Sequence, residues 1–201
     1  MNPHERLLDV ASALGLELPP GAPDRLLRYA ALLRDRGRRI GVISARDSDR
    51  VLERHVLDSL RAGSAVGPDD VAAYDLGAGA GLPGLVVAIA VPHLSVGLVE
   101  IRRRRVAFLE LALDELGVPN ASVIHGRIED LVEPVDLCFS RALAPLPQSW
   151  DLARPLLRPG GRLVYFAGSR RETVELPEAG EVRLLETPVL ESSGPLVIMT
   201  R

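Results

Sequence analysis

The sequence contains a single cysteine, Cys138, and no lysine. One cysteine excludes a disulfide within the chain, and its place in an apolar run favours a buried structural thiol over a nucleophile. All 24 basic residues are arginines. GC-rich coding explains this at least as readily as selection for a planar cation that matches phosphate.

Long apolar segments are also missing. No run reaches the roughly 18 uninterrupted apolar residues that a membrane-spanning helix needs. Residues 1–6 lack the basic-then-apolar order of a signal peptide. We therefore expect a cytoplasmic protein with no membrane partner.

Net charge and histidine spacing restrict the remaining classes. The formal charge of −3 argues mildly against a protein that coats nucleic acid, although a local basic patch can still bind RNA. The four histidines show neither metal-ligand spacing nor acid–base pairing, so we expect no metal site and no catalytic triad.

The apolar pattern changes along the 201 residues, whose composition suits one globular domain or a domain with a small appendage. Helical spacing over residues 3–61, broken at 19–21 and near Gly41, predicts a helical N-terminal cap over residues 1–66. Short apolar runs then alternate with helical stretches, which predicts a Rossmann-like α/β domain over residues 67–201 with a mostly parallel sheet. The predicted strands are 71–76, 94–99, 121–124, 135–139 and 162–167, with Gly160-Gly161 as a turn and residues 181–185 and 196–200 as an antiparallel edge pair.

A glycine-rich loop, Asp75 to Gly84, follows the first predicted strand. Its alternating glycines (Gly77, Gly79, Gly81) let the backbone turn tightly and approach a ligand, so a small-molecule site is expected here. Gly79-x-Gly81-x-x-Gly84 also matches the dinucleotide fingerprint, and Glu100 suits a ribose-binding acid in either class. The glycines alone leave an NAD-dependent oxidoreductase open.

Charge favours a different cofactor. A carboxylate at Asp75 repels a pyrophosphate but attracts the ammonium or sulfonium of S-adenosylmethionine. The competing interpretation is a turn in which Asp75 caps the helix. Glu100 is expected to accept the ribose hydroxyls, unless it is an exposed carboxylate at a helix start.

Three further segments should reach the same cleft. Arg102 and Arg103 open a run of four arginines at a helix start, which indicates an anionic partner such as RNA phosphate or simply a solvated charge run. Ile128 and Glu129 are expected to flank an adenine. Arg141 is expected to bring a guanidinium to the mouth of the cleft, with surface ion pairs as the alternative for both loops.

Four segments in order carry a resemblance to a known family. They are Arg54-His55-x-x-Asp58-Ser59, the glycine loop with its Leu-Pro-Gly ending, Arg127-x-Glu129 and Ser140-Arg141-Ala142. Across residues 29–168 the chain resembles the bacterial ribosomal RNA guanine-N7 methyltransferases, also called glucose-inhibited division protein B.

The resemblance implies a Rossmann-like class I S-adenosylmethionine-dependent methyltransferase that acts on N7 of a guanine in 16S ribosomal RNA, as free RNA or in the small ribosomal subunit. It further implies two sets of site residues. Cofactor contacts are expected from Gly77, Leu82, Ile128, Glu129 and Arg141. RNA contacts are expected on a helix that lines the cleft, at Arg54, His55, Asp58 and Ser59, for which an Arg54–Asp58 ion pair and a surface His55 are the alternative.

The chain departs from the family pattern at three places. Gly41-Val42-Ile43 replaces an Asn-Leu-Thr-like segment, and Gly194-Pro195 replaces an Arg-His pair. Ala167 stands where members have a lysine, and Arg170 or Arg171 is the predicted substitute for its charge. These departures leave open a cofactor-binding regulatory protein that has lost catalysis.

Guanine N7 carries a lone pair and no proton, so its attack on a sulfonium methyl needs no general base. Positioning and desolvation should supply most of the rate acceleration. From its place at the mouth of the cleft, we expect Arg141 to be the residue whose loss impairs catalysis. We also expect the protein to be a monomer.

Overall fold

The structure is a computed structural model of the chain and describes residues 2–37, 39–41, 43, 50–168, 181–187, 190 and 193–201. Val42, Arg170 and Arg171 lie outside the described residues. The helices are α1 Pro3–Ala13, α2 Ala22–Leu32, α3 Asp58–Leu60, α4 Gly84–Ala90, α5 Arg103–Leu116 and α6 Leu146–Ala153. The strands are β1 Ala72–Leu76, β2 Ser95–Glu100, β3 Ala121–His125, β4 Val135–Arg141, β5 Leu157–Phe166, β6 Glu181–Leu185 and β7 Leu196–Thr200.

The N-terminal helices start and stop where local chemistry dictates. Asn2 and Glu5 form a capping box that satisfies free amides at the start of α1. The predicted break at residues 19–21 is confirmed, since α2 begins directly after Gly21. Helix α3 is the centre of a longer helical segment, preceded by a π-helical turn (Leu52–Leu57) and followed by a 3-10 turn (Arg61–Ala65).

The strands form one seven-stranded sheet in the order β3-β2-β1-β4-β5-β7-β6. β1 to β5 are mutually parallel, whereas β7 runs antiparallel to both β5 and β6. The chain moves outward in one direction from β1 to β3, and then crosses over to place β4 on the other side of β1. The mostly parallel sheet and the antiparallel edge pair are as the sequence predicts.

One sequence prediction is wrong at the start of β5. Gly160 and Gly161 were expected as a turn before the strand, but they lie within it. The register of β5 against β4 shifts at this point. Val135 pairs with Leu157, and Leu137, only two residues later, pairs with Arg162. Gly160 has φ +79°, so the glycines form an irregularity in the strand rather than a turn before it.

Alternate strand residues enter two apolar clusters on opposite faces of the sheet, as the period of two requires. In β4, Phe139 belongs to the face covered by α4, α5 and the N-terminal helices, and Cys138 to the face covered by α6. Leu26 of α2 belongs to the same cluster as Phe139, so the N-terminal helices and the sheet share a core. The domain boundary at residue 66 stays a prediction. Among the described residues, no helix is both long enough and apolar enough to cross a bilayer.

Candidate functional site

Two adjoining clefts open at the carboxyl ends of the parallel strands, beside the point where the strand order reverses between β1 and β4. Open α/β sheets bind ligands at this place. The first cleft has a volume of about 390 Å³ and is lined by Gly77, Val99, Glu100, Ile101, Arg102, Arg105, Gly126, Arg127, Ile128, Glu129, Ala142 and Leu143. The second cleft has a volume of about 260 Å³ and is lined by Ile43, His55, Gly77, Ala78, Gly79, Ala80, Leu82, Arg105, Arg141 and Ala142.

The glycine loop depends on close backbone approach. Gly81 has φ +88°, and a Cβ there would lie 2.9 Å from the Tyr29 hydroxyl oxygen. A Cβ at Gly84 would lie 2.6 Å from both Asp75 Cβ and Leu98 Cδ2. A side chain at Gly81 would collide with Tyr29, and one at Gly84 would collide with the ends of β1 and β2, so both positions require glycine for the loop to pack this closely.

Asp75 lies behind the loop and lines neither cleft. Its side chain is buried, and Oδ2 accepts a hydrogen bond from the Gly84 amide at 2.8 Å. Burial raises the pKa of Asp75 to about 7, although the Gly84 amide and Arg141 act in the opposite direction. The expectation that this carboxylate faces a cofactor is thus not met by its placement, because the carboxylate holds the first residue of α4.

Glu100 ends β2 and is only 4% exposed, yet it lines the first cleft. Oε1 accepts from the amides of Ile101 and Arg102, at 2.9 and 2.8 Å. Oε2 accepts from the Gly79 amide at 3.1 Å and lies 3.4 Å from Arg105 Nη1. The carboxylate therefore connects the glycine loop to the start of α5 while one edge remains in the cleft.

The loop after β3 forms the opposite wall of the first cleft. Ile128 contributes an apolar side chain and Glu129 a largely exposed carboxylate. A hydrogen bond from its own backbone amide, assisted by Arg127, holds the pKa of Glu129 below its usual value. Arg102 lines the same cleft, whereas Arg103 is exposed but lines neither.

Arg141 ends β4 and lines the second cleft. Nη2 donates to the Arg54 carbonyl at 2.8 Å and lies 3.0 Å from Asp58 Oδ2. Nη1 donates to the Ser59 hydroxyl at 3.1 Å, and the guanidinium lies 5.6 Å from the centre of the Phe166 ring. Burial lowers the pKa of Arg141, although Asp58 opposes that change. Contacts from the N-terminal helices therefore fix this side chain.

The four residues of the Arg-His-x-x-Asp-Ser segment separate into two groups. His55 lines the second cleft and Arg54 is exposed. Asp58 and Ser59 line neither cleft, and Ser59 is fully buried. Their side chains bind Arg141 instead of facing outward, so the structure does not place them for direct contact with RNA.

Three residues at this site were not singled out from the sequence. The buried Tyr29 of α2 donates a hydrogen bond to the Ala80 carbonyl in the glycine loop. Arg61, in the 3-10 turn after α3, is paired with Asp58 at 2.7 Å. Arg105 lines both clefts. Of the three, only Arg105 carried a sequence signal, namely its place in the arginine run. Tyr29 and Arg61 occupy ordinary positions in helical segments, so the sequence pattern gave no sign of their roles.

Two of the departures from the family pattern, at Gly194 and Ala167, lie close to Arg61. The Arg61 guanidinium donates to the Gly194 carbonyl at 2.6 Å. A Cβ at Gly194 would lie 2.5 Å from the Ala167 carbonyl oxygen, so the segment before β7 packs tightly against the end of β5. Through Gly194, the buried Arg61 is thus linked to the end of β5, where Ala167 stands.

The described residues offer neither a metal-binding cluster nor a reactive cysteine. Within them, no cluster of three or more histidine, cysteine, aspartate or glutamate side chains is arranged to hold a metal ion. Cys138 is fully buried, and burial raises the pKa of its thiol. A buried neutral thiol does not act as a nucleophile.

Comparison with known proteins agrees with this architecture. The family described as "GidB: rRNA small subunit methyltransferase G" matches residues 23–188. Proteins named ribosomal RNA small subunit methyltransferase G from Ralstonia nicotianae and Chromohalobacter salexigens are 38% and 39% identical to this chain, and each comparison covers 94% of it and 91% of the relative. A methyltransferase structure from Geobacter sulfurreducens superposes with a TM-score of 0.58 at 14% identity, over 86% of this chain and 87% of that one. The fold is therefore the Rossmann-like class I methyltransferase fold, and the chain belongs to the rRNA small subunit methyltransferase G family.

Proposed function

We infer that the protein transfers the methyl group of S-adenosylmethionine to N7 of a guanine in 16S ribosomal RNA. Family membership supports the reaction class. The structural observation that carries the proposal is the pair of adjoining clefts at the strand switch point, where Glu100 of the first cleft accepts a hydrogen bond from the Gly79 amide of the second.

The first cleft suits an adenosine group. The Glu100 carboxylate lies where ribose hydroxyls can donate to it, and Ile128 offers an apolar surface to a flat base. Glu129 supplies a polar contact at the edge. Arg105 is the weakest of the groups on Glu100, at 3.4 Å, so its side chain is the one that yields when a ribose hydroxyl takes Oε2.

The second cleft suits the methionine part of the cofactor. Gly77 and Gly79 present backbone instead of side chains, Leu82 adds an apolar contact, and Arg141 supplies a cation. A guanidinium is the usual partner of a carboxylate such as the one on methionine. We propose that Asp75 and Gly81 act indirectly, by holding the loop.

The reaction does not require the protein to transfer a proton. Bound S-adenosylmethionine supplies an electrophilic methyl group on a positively charged sulfur. Because N7 has no proton to lose, the residues at the two clefts need only hold the reacting groups in line and exclude water. Arg141 is the residue we assign to the catalytic site, since it lines the cleft beside the glycine loop and is held rigidly.

RNA is proposed to approach across the rim of the clefts. Arg102 and Arg103 are exposed at the start of α5, where the positive helix end adds to their attraction for phosphate. Arg54 and His55 lie on the other side, beside the second cleft. The monomeric state and the cytoplasmic location stay predictions.

The test is methyl transfer from labelled cofactor to two substrates from a strain that lacks the enzyme, namely deproteinised 16S RNA and intact small subunits. Mapping of the labelled base should give one guanine methylated at N7, and the faster substrate identifies the natural form. Label at another atom or in another RNA would contradict the proposal.

The two alternatives predict other results in the same samples. An NAD-dependent oxidoreductase would bind NAD and not S-adenosylmethionine in a calorimetric titration. A regulatory protein without catalysis would bind S-adenosylmethionine and methylate neither substrate. Membership of a methyltransferase family favours neither alternative.

A further inference from the structure

The carboxylate of Asp58 lies between two guanidiniums. Oδ1 is 2.7 Å from Arg61 Nη1, and Oδ2 is 3.0 Å from Arg141 Nη2. The three side chains are little exposed, at 14% for Asp58, 2% for Arg61 and 18% for Arg141. We call these three residues the arginine triad.

Arg61 is fixed by contacts that have no part in either cleft. Its Nε donates to the Thr187 hydroxyl at 2.9 Å and its Nη2 to the Gly194 carbonyl at 2.6 Å. Its guanidinium also lies 5.9 Å from the centre of the Phe166 ring, which Arg141 shares. Arg61 therefore lies behind Arg141 and is held by the segment that leads into β7.

The charges of the triad do not cancel. Two guanidiniums and one carboxylate leave a net charge of +1, and only Arg141 among the three lines a cleft. Without Arg61, both oxygens of Asp58 would be free to bind Arg141 in the bidentate geometry that arginine and carboxylate prefer. The pair would then be neutral, and the second cleft would lose the positive charge that Arg141 contributes, which leaves Arg105 as the other arginine in its lining.

We propose that Arg61 is a positioning residue that restricts Asp58 to one contact with Arg141, and so preserves a positive charge for the carboxylate of the methionine group. This inference rests on the proposed function, because it takes S-adenosylmethionine as the ligand of the second cleft. It adds a residue that touches neither cofactor nor RNA.

The test compares two ligands that differ in the group concerned. S-adenosylhomocysteine carries the amino-acid carboxylate, whereas 5′-methylthioadenosine has the same adenosine without it. In Arg61→Met, which keeps an apolar chain over Phe166, the Kd of S-adenosylhomocysteine should rise about tenfold, as expected for one charge-assisted contact. The Kd of 5′-methylthioadenosine should change by less than about twofold, because the first cleft is untouched.

A second substitution separates charge from packing. The double variant Arg61→Met/Asp58→Asn restores the net charge of +1 and should regain most of the lost affinity for S-adenosylhomocysteine. Arg162→Met is the matched control, since it also breaks a little-exposed ion pair, with Asp70 at 2.5 Å, but away from both clefts. It should lower the unfolding midpoint without changing either Kd.

Equal weakening of both ligands in Arg61→Met, or no recovery in the double variant, would overturn the inference. If Arg61→Met does not fold, Thr187→Val loosens Arg61 more gently and must still weaken S-adenosylhomocysteine selectively. Failure of the proposed function is distinguishable: if the variants show the expected ligand pattern but the wild-type protein methylates no RNA, the function alone is refuted. A wild-type protein that methylates RNA, with no ligand selectivity in the variants, refutes the inference alone.

Discussion

The hydroxyl of Tyr29 in α2 donates a hydrogen bond to the carbonyl of Ala80 in the glycine loop. The two residues are 51 positions apart, and Tyr29 is completely buried. Burial raises the pKa of the Tyr29 phenol well above its usual value, so the hydroxyl remains a donor. An N-terminal helix thereby holds the loop that forms one wall of the second cleft.

Tyr29→Phe should loosen this loop. The Ala80 carbonyl loses its buried donor, so the free energy of unfolding should fall by about 1–2 kcal/mol in urea titrations. The Kd of S-adenosylhomocysteine should rise several-fold at the same time. A loss of stability with unchanged ligand affinity would show that the loop keeps its shape without this contact.

The Asp75 carboxyl should make stability fall as the pH rises. Its pKa is raised to about 7 in the folded protein, so between the unfolded value of 3.8 and that pH the folded state binds more protons than the unfolded state. The contribution is complete below about pH 4 and is lost as the pH passes 7, with a maximum of roughly 4 kcal/mol.

Asp75→Asn retains an acceptor for the Gly84 amide and removes the titrating group. Its unfolding free energy should therefore exceed that of the wild type most at pH 8, and the difference should shrink toward pH 5. Asp136→Asn is the control with the opposite sign, because two backbone amides and Arg158 outweigh burial and lower the pKa of Asp136. A pH-independent difference for Asp75→Asn would contradict the raised pKa.

Glu100→Gln should weaken cofactor binding about 10- to 100-fold, since one carboxylate oxygen becomes an amide NH2 group, which cannot accept from backbone N–H groups. Calorimetry with S-adenosylhomocysteine measures the change. Glu110→Gln, an exposed position on α5, is the control and should bind normally. Equal affinities of the two variants would remove Glu100 from the site.

Arg141→Gln should lower kcat/KM for S-adenosylmethionine about 10- to 100-fold, because the variant loses the charged donor proposed to hold the methionine carboxylate. The variant should remain folded, because Asp58 keeps its pairing with Arg61. We expect a loss of stability of only about 1–3 kcal/mol, measured by urea unfolding. Full activity would refute the catalytic assignment.

Arg103→Ala, which removes an exposed arginine that lines neither cleft, should weaken RNA binding without altering the Kd of the cofactor by more than about twofold. Each lost phosphate contact should reduce the slope of log K against log salt by about 1. Arg183→Ala, which removes an exposed arginine from the edge strand β6, is the control. An unchanged salt slope would place the RNA elsewhere.

Much of the fold follows from local patterns. The period-two alternation in β4 and the helical spacing in α5 are short-range signals, so the strands and helices could be predicted, including the edge pair of β6 and β7. Glu100 could be placed at the first cleft, because the end of a strand after a glycine loop lies at the carboxyl edge of a parallel sheet. The family resemblance, which implies the cofactor, could likewise be recognised from four short segments of the sequence.

The tertiary structure decided what those residues face. Asp75 stands at the end of β1 in sequence, yet its carboxylate turns inward to the Gly84 amide, because α4 begins directly over it. The resemblance predicted RNA contacts at Asp58 and Ser59, but docking of their helix against the end of β4 commits both side chains to Arg141.

Sequence alone thus determined the mostly parallel sheet, the glycine loop and the class of cofactor, since each depends on residues that are neighbours along the chain. Only packing could bring Arg61 beside Gly194, or Tyr29 beside Ala80. Such contacts join residues that are far apart in the chain, and a buried polar group takes whichever partner the docked helices supply.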